Sequence, residues 1–313
     1  MCELLVALPQ NYFSMWVILA LVSSLFLGFY DVLKKLSVNK NAVLPVLFIS
    51  TIASSIIVTP LVIGSAYFPS FFQSISLYVP EITMKEHLMI FLKAVIVVSS
   101  WIFAFHALKH LPITIVSPIR ATGPVWTLIG AILIFNEHLN FTQWIGVIIT
   151  LVFFYLLSTA GKLEGINFRK NVWVFCIVAA TLLGAASGLY DKFIIRKIDR
   201  LAVQAWFTYY QVIVMLPAIA MFRWAKSKPE RPVFEWRWTI PAIGLFLLIA
   251  DFAYFYSLSY EDSMISIVSA LRRGGVLVAF ITGALLFKEN NIRKKGIYLL
   301  GILAGILIIS LGS

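Results

Sequence analysis

The chain has 313 residues, of which 61% are hydrophobic and 12% charged, with a formal net charge of +11 and a mean hydropathy of +0.94. Soluble domains carry about 25% charged and about 45–50% apolar residues, so this composition excludes a soluble globular protein and specifies an integral membrane protein. The basic residues sit in short loops and not on one amphipathic face or tail, which excludes reading the charge as a nucleic-acid surface.

The opening MCELLVALPQ lacks the basic n-region and cleavage site of a signal peptide, so the first apolar run is expected to direct insertion. Apolar runs then fall near 15–35, 43–63, 88–108, 112–135, 142–160, 172–195, 202–222, 239–259, 263–287 and 294–312. At roughly 20 residues per crossing these predict an all-α fold of about ten transmembrane helices. The longest connections, 64–85 and 223–237, contain Pro69, Pro80, Pro229 and Pro232 as breakers. The odd-numbered loops, with Lys34, Lys35, Lys109, Arg169, Lys170 and Arg293 among their charges, are far more basic than the even-numbered ones, which hold Lys85, Lys192, Arg196, Lys197 and Arg200. The positive-inside rule makes the first side cytoplasmic, both termini external and the protein a multi-pass component of the cell membrane.

Of the 25 basic residues, Lys93, Arg120, Arg272 and Arg273 fall inside predicted spans. The fourth span carries Arg120 near its centre between Pro118 and Pro124, on a polar, small-residue stripe of Thr114, Ser117, Gly123 and Thr127. Each proline withholds a helical hydrogen bond, so the segment is expected to be kinked and water-accessible. The ninth span repeats the stripe as Ser266, Ser269, Arg272 and Gly275. An arginine at that depth costs at least about 2.5–3.5 kcal/mol unless it meets water, a counter-charge or a ligand.

The repeat extends along the chain at a shift of about 150–160 residues. Ser24, Gly28, Tyr30 and Asp31 return as Gly184, Gly188, Tyr190 and Asp191; Phe105 and Leu108 as Phe255 and Leu258; Phe135 and Glu137 as Phe287 and Glu289; Gly146 as Gly296. Small residues four apart, as at Ser24 and Gly28, let helix backbones approach. The copies divide the chain at 1–160 and 161–313. Five helices per copy, an odd number, force the second copy to cross upside down, the inverted-repeat plan of many secondary transporters, with the substrate site near the midplane.

Ten helices in two copies, a Phe-x-Glu at the end of each fourth helix (Phe135-Asn136-Glu137, Phe287-Lys288-Glu289) and a glycine opening each fifth (Gly146, Gly296) resemble the EamA-like branch of the drug/metabolite transporter superfamily over essentially the whole chain. That family often has glycine before the glutamate, where this chain has Asn136 and Lys288, and no role is carried over to that position. The resemblance implies export or exchange of small metabolites, amino acids or drugs.

The residues expected to carry substrate are Arg120, Arg272, Ser117, Ser269, Trp101 and Tyr254, with Pro118, Pro124, Gly123 and Gly275 as kink or gating positions. Asp251, the acid well inside a span, is a counter-ion to Arg272, Arg273 or Arg120, or else a proton acceptor coupling transport to a gradient. Trp101, Phe105, His106, Tyr254, Phe255 and Tyr256 form an aromatic collar of which only some members can face inward. Lys93 is expected to snorkel, Asp31 and Asp191 to pair with neighbouring lysines at helix ends, and Trp16, Trp144, Trp173, Trp206, Trp236 and Trp238 to form an interfacial belt. The excess of deep arginine favours an anionic or zwitterionic substrate.

The implied partners are the bilayer and a small-molecule substrate, with a proton as candidate coupling ion. No cofactor is implied. Cys2 and Cys176 have no metal or disulfide spacing, and the chain carries neither a Walker-type loop nor an HExxH pair. A membrane-embedded enzyme would leave the repeat unexplained, and a channel would call for rings of like charge or a continuous polar pore.

Overall fold

The computed structural model describes residues 14–38, 41–110, 119, 123–159, 171–225, 234–275, 278 and 292–311. They form helices joined by short connections, without a strand among the described residues. In chain order the helices are α1 (Met15–Val38), α2 (Val43–Tyr67), α3 (Pro69–Ser74), α4 (Met84–His110), α5 (Gly123–Phe135), α6 (Phe141–Thr159), α7 (Val172–Ile195), α8 (Arg200–Ala225), α9 (Thr239–Ser259), α10 (Ile265–Arg272) and α11 (Ile292–Leu311). Among the described residues, α1, α2, α4, α7, α8 and α9 are long and apolar enough to cross a membrane, and shorter apolar helices cover Gly123–Phe135, Phe141–Phe153 and Gly296–Ile309. The molecule is an all-α membrane protein, with α3 the one helix in a region expected to be loop.

Helix starts are fixed by local side chains. Asn140 Oδ1 accepts from the Gln143 N–H (2.8 Å) while Gln143 Oε1 accepts from the Asn140 N–H (3.0 Å), a reciprocal capping box for α6. Glu86 and Thr83 do the same for α4, and Asp199 Oδ1 caps α8 through the Leu201 N–H at 2.8 Å. Pro124 lies in the first turn of α5, where a missing N–H leaves no intrahelical bond unmade. Pro118 and Arg120, the other parts of the expected kink, lie outside the described residues, as does Ser117.

The ninth span, expected as one helix over 263–287, is interrupted. Helix α10 ends at Arg272, and the N–H groups of Arg273 and Gly274 bond back to the carbonyls of Ala270 (3.1 Å) and Leu271 (2.9 Å) in a tightened last turn. Gly274 and Gly275 follow, the residue type that gains least from continuing a helix after proline. Gly275 is a contact more than a hinge: a Cβ there would lie 2.6 Å from the Ser24 carbonyl oxygen and 3.0 Å from the Gly28 nitrogen. The small-residue spacing of α1 is therefore used against this segment.

Packing reproduces the repeat. The most extensive pairings are α1 with α9, α4 with α7 and α6 with α11. Numbering the spans one to ten and exchanging each with the span five later turns α1·α9 into α4·α7, α2·α9 into α4·α8 and α1·α10 into α5·α7, and returns α2·α8, α5·α10 and α6·α11 to themselves; every one of these contacts is present. Two bundles result: a first of α1, α9 and α10, and a second of α7, α4 and α5. Helices α2 and α8 flank them, and α6 and α11 pair at one side.

That α6·α11 pair is backbone on backbone. A Cβ on Gly305 would meet the Thr150 nitrogen at 2.7 Å and the Gly146 carbonyl at 2.9 Å, and one on Gly146 would meet the Gly305 carbonyl at 2.8 Å, whereas nothing lies within 4 Å of a Cβ on Gly296. Gly305→Val or Gly146→Val should therefore destabilise by about 1–3 kcal/mol, an overpacking cost, while Gly296→Ala leaves the midpoint unchanged or higher. Thermal unfolding of the three variants in one detergent is the check.

Candidate functional site

Between the two bundles lies a cavity of about 380 Å³. Its charged lining comes from both: Asp31 and Lys34 of α1, Asp251 of α9 and Arg272 and Arg273 from the end of α10, against Lys93 of α4 and Asp191 of α7. Phe207 and Gln211 of α8 close one flank.

Each bundle holds an ion pair of its own. In the second, Lys93 Nζ stands 2.6 Å from Asp191 Oδ1, with the two side chains 3% and 6% exposed. The ammonium also lies over the rings of Phe207 (3.8 Å) and Phe255 (5.0 Å), whose negative faces add to its stabilisation. In the first, Arg272 Nη2 donates to Asp251 Oδ1 at 3.0 Å, with side chains 20% and 15% exposed. The guanidinium is stacked over Tyr254 at 3.9 Å, and Asp191 lies near enough to Tyr254 to act on it electrostatically. The four charges and the tyrosine form one network, with a dry pair on one side and a pair open to the cavity on the other. Arg272 Nε and Gln211 Nε2 are buried donors that find no acceptor among the described residues.

Trp101, Tyr254, Asp251, Arg272 and Arg273 are thus brought together, and the Asp251–Arg272 counter-ion pairing holds. Ser269 is half-buried and does not line the cavity; Gly123 lies beside it, where a Cβ would stand 3.1 Å from Arg273 Nη2. Of the aromatic collar, Trp101, Tyr254 and Phe255 line the cavity. Tyr256 instead stacks with Tyr260 and carries the Arg200 guanidinium on its ring, and the side chains of Phe105 and His106 lie outside the described residues.

Other expectations give way to packing. Lys93 does not snorkel, because Asp191 and two aromatic faces offer its ammonium a closer partner than the headgroups do. Asp191 pairs with Lys93 and not with an adjacent lysine, while its counterpart Asp31 is exposed. Lys192 is not a loop charge but is fully buried, and Trp16, expected at the interface, is 2% exposed with its indole N–H donated to Asp262 Oδ2 at 2.9 Å.

The EamA-like transporter family model matches this chain twice, over residues 14–159 and 171–311. The chain belongs to the EamA-like transporter family. A solved structure described only as "Crystal structure of protein" superposes with a TM-score of 0.70 at 12% identity, covering 96% of this chain and 100% of its own, a likeness of fold alone. Comparison with curated proteins returned no match.

The EamA-like Phe-x-Glu position acquires a physical role in this fold. Asn136 has φ 53°, in the left-handed region that asparagine tolerates second only to glycine, so it ends α5 and turns the chain. Glu137 then reaches the start of α10, its carboxylate accepting from the N–H groups of Ile265 (2.7 Å) and Ser266 (3.3 Å) and from the Ser266 hydroxyl (2.6 Å). It caps a helix of the other copy. The repeated glutamate was the available signal for this contact; for Lys93 it was an isolated lysine in an apolar run.

Removing one partner of a buried pair strands the other charge, at a cost of about 3–5 kcal/mol. Lys93→Met should therefore lower the unfolding midpoint sharply, and Lys93→Met with Asp191→Asn should recover most of the loss. A double-mutant cycle by thermal unfolding measures this; additive losses would mean the two side chains do not pair.

Proposed function

We propose that this EamA-like protein is a secondary transporter that carries a small anionic or zwitterionic metabolite, an amino acid or organic acid in chemical type, by alternating access of the cavity between its two bundles. It performs no covalent chemistry. The observation that carries the reading is the Arg272–Asp251 pair: a forked cation at the end of a broken helix, part-exposed to the cavity, stacked on Tyr254 and with an unused Nε donor. A planar carboxylate or phosphate matches that fork, and broken helix ends at a repeat interface are where secondary transporters hold substrate.

The charge arithmetic supports the substrate class. The lining holds four cations, Lys34, Lys93, Arg272 and Arg273, against three carboxylates, Asp31, Asp191 and Asp251. An entering anion competes with Asp251 for Arg272, and a displaced Asp251 needs a new cation. A substrate ammonium meets that need in a zwitterion; for a simple anion, a proton does, which makes Asp251 the coupling group. Trp101 supplies the apolar wall, and Arg120 and Ser117 are retained as substrate contacts from the fourth-span stripe, while Ser269, off the cavity, is not. The loop charges favour a cytoplasmic face at the end of α1 and the start of α2, with both termini outside.

The test begins with a thermal-shift screen of the detergent-solubilised protein against amino acids, organic acids, sugar phosphates and nucleotides, since a ligand of the native state raises apparent stability by mass action. A hit is then followed as uptake into proteoliposomes. Arg272→Gln and Arg272→Lys should each lose saturable, counter-substrate-stimulated uptake by about tenfold or more, the equivalent of one charge-assisted hydrogen bond, while remaining folded. Undiminished uptake in a folded Arg272→Gln protein would overturn the site.

A further inference from the structure

The end of the molecule where α7 and α9 finish and α10 begins is tied by a cation the transport reading does not use. Lys192, in the last turn of α7, is fully buried. Its Nζ donates to the carbonyls of Leu258 (3.2 Å), Tyr260 (3.3 Å) and Ser263 (2.7 Å) and contacts the Ser263 hydroxyl. These acceptors are the last carbonyls of α9 and the connection to α10, groups that a helix end leaves without intrahelical partners and that attract a cation. The carboxylates of Glu137 and Asp262 lie near enough to act on the ammonium electrostatically.

This contact crosses between the bundles, from α7 in the second to α9 and α10 in the first. One further contact crosses between the bundles at this face, Glu137 on the start of α10; Trp16 and Ser14 on Asp262 and the Ser257 hydroxyl on the Trp16 carbonyl (2.7 Å) tie α1 to the end of α9 within the first bundle. The cavity runs the other way. Its lining reaches exposed Asp31 and half-buried Lys34, and Lys34 lies about 27 Å along α1 from Trp16 at 1.5 Å per residue.

The repeat register then exposes an asymmetry. Asp31 matches Asp191, so the residue matching Lys192 is Val32, buried and without a donor. The opposite face, built from the same parts, has no equivalent ammonium at that position.

We propose that Lys192 is a positioning residue forming a one-sided latch: it holds the two bundles together at the face where α7 and α9 end, and so sets the resting state open to the opposite face. The proposal rests on the alternating-access reading for its consequence in transport, but its direct readout is a distance and needs no substrate.

Spin labels at Lys197→Cys and Glu261→Cys report the latched face, and labels at Val172→Cys and Trp236→Cys the opposite face, in protein with Cys2 and Cys176 replaced by serine. Lys192→Met should shift the closed-to-open ratio at the latched face by about tenfold or more, a change one hydrogen bond to a charge can produce. A longer-distance population grows there and a shorter one grows at the opposite face. Ser263→Ala, which removes the hydroxyl acceptor and keeps the ammonium, should give a smaller shift of the same sign, and it decides the matter if Lys192→Met does not fold. Unchanged distributions at both faces in a folded variant overturn the latch. Because uptake and ligand-induced stabilisation are measured separately, a wild-type carrier with unmoved Lys192→Met distances defeats the latch alone, and absent uptake with shifted distances defeats the carrier alone.

Discussion

Charge inside a bilayer must find its partner inside the protein, and the arrangement of this molecule follows from how that demand is met. Lys93, Asp191, Asp251 and Arg272 all lie within spans, where each alone would carry a cost of kilocalories. They are matched as two pairs, and each pair closes within one bundle: α4 with α7, α9 with α10. Neither ion pair therefore depends on the other bundle. Two bundles that each carry their own pair can move against each other without separating it, which a pair shared across the cavity would not permit.

What the bundles share is the nearness of Tyr254 to Asp191, the cap of Glu137 on α10 and the hold of Lys192 on the end of α9. The contrast between dry and wet pairs divides their work. Lys93 and Asp191, enclosed by Phe207 and Phe255, fix the geometry of the second bundle. Arg272 and Asp251, part-exposed at the end of a broken helix, face the space a ligand would occupy. The helix breaks at Arg273 and Gly274, and Gly275 just beyond is held by the α1 backbone at Ser24 and Gly28.

Much of this was legible in the sequence, because the signals were periodic or doubled. The all-α membrane class follows from apolar run length, and the repeat from paired residues such as Arg120 with Arg272 and Glu137 with Glu289. Scarcity, one deep acid among several deep cations, made Asp251 a candidate counter-ion to Arg272, Arg273 or Arg120, and packing pairs it with Arg272. Lys93, Asp191 and Lys192 were misplaced for a common reason. Distance from a span end predicts a snorkelling or interfacial charge only when no partner lies on a neighbouring helix, and one chain read linearly does not show which helices are neighbours. Trp16 went the same way, since an aromatic ring at a span end faces lipid or core according to packing. Asn136 was read as a departure from the family's glycine, yet its backbone geometry is the one that asparagine and glycine share.

The account stands on the cavity between the bundles being reached from one side at a time. Ala104 lines that cavity on α4 and carries none of its charge. With Cys2 and Cys176 replaced by serine, Ala104→Cys in oriented proteoliposomes can be challenged with a membrane-impermeant thiol reagent from either face, with and without a transported ligand. The account predicts modification from the face beside Asp31 and Lys34, protection from the other face at rest, and a redistribution between faces when ligand is added. Equal modification from both faces at once, unaffected by ligand, would describe an open pore and contradict it.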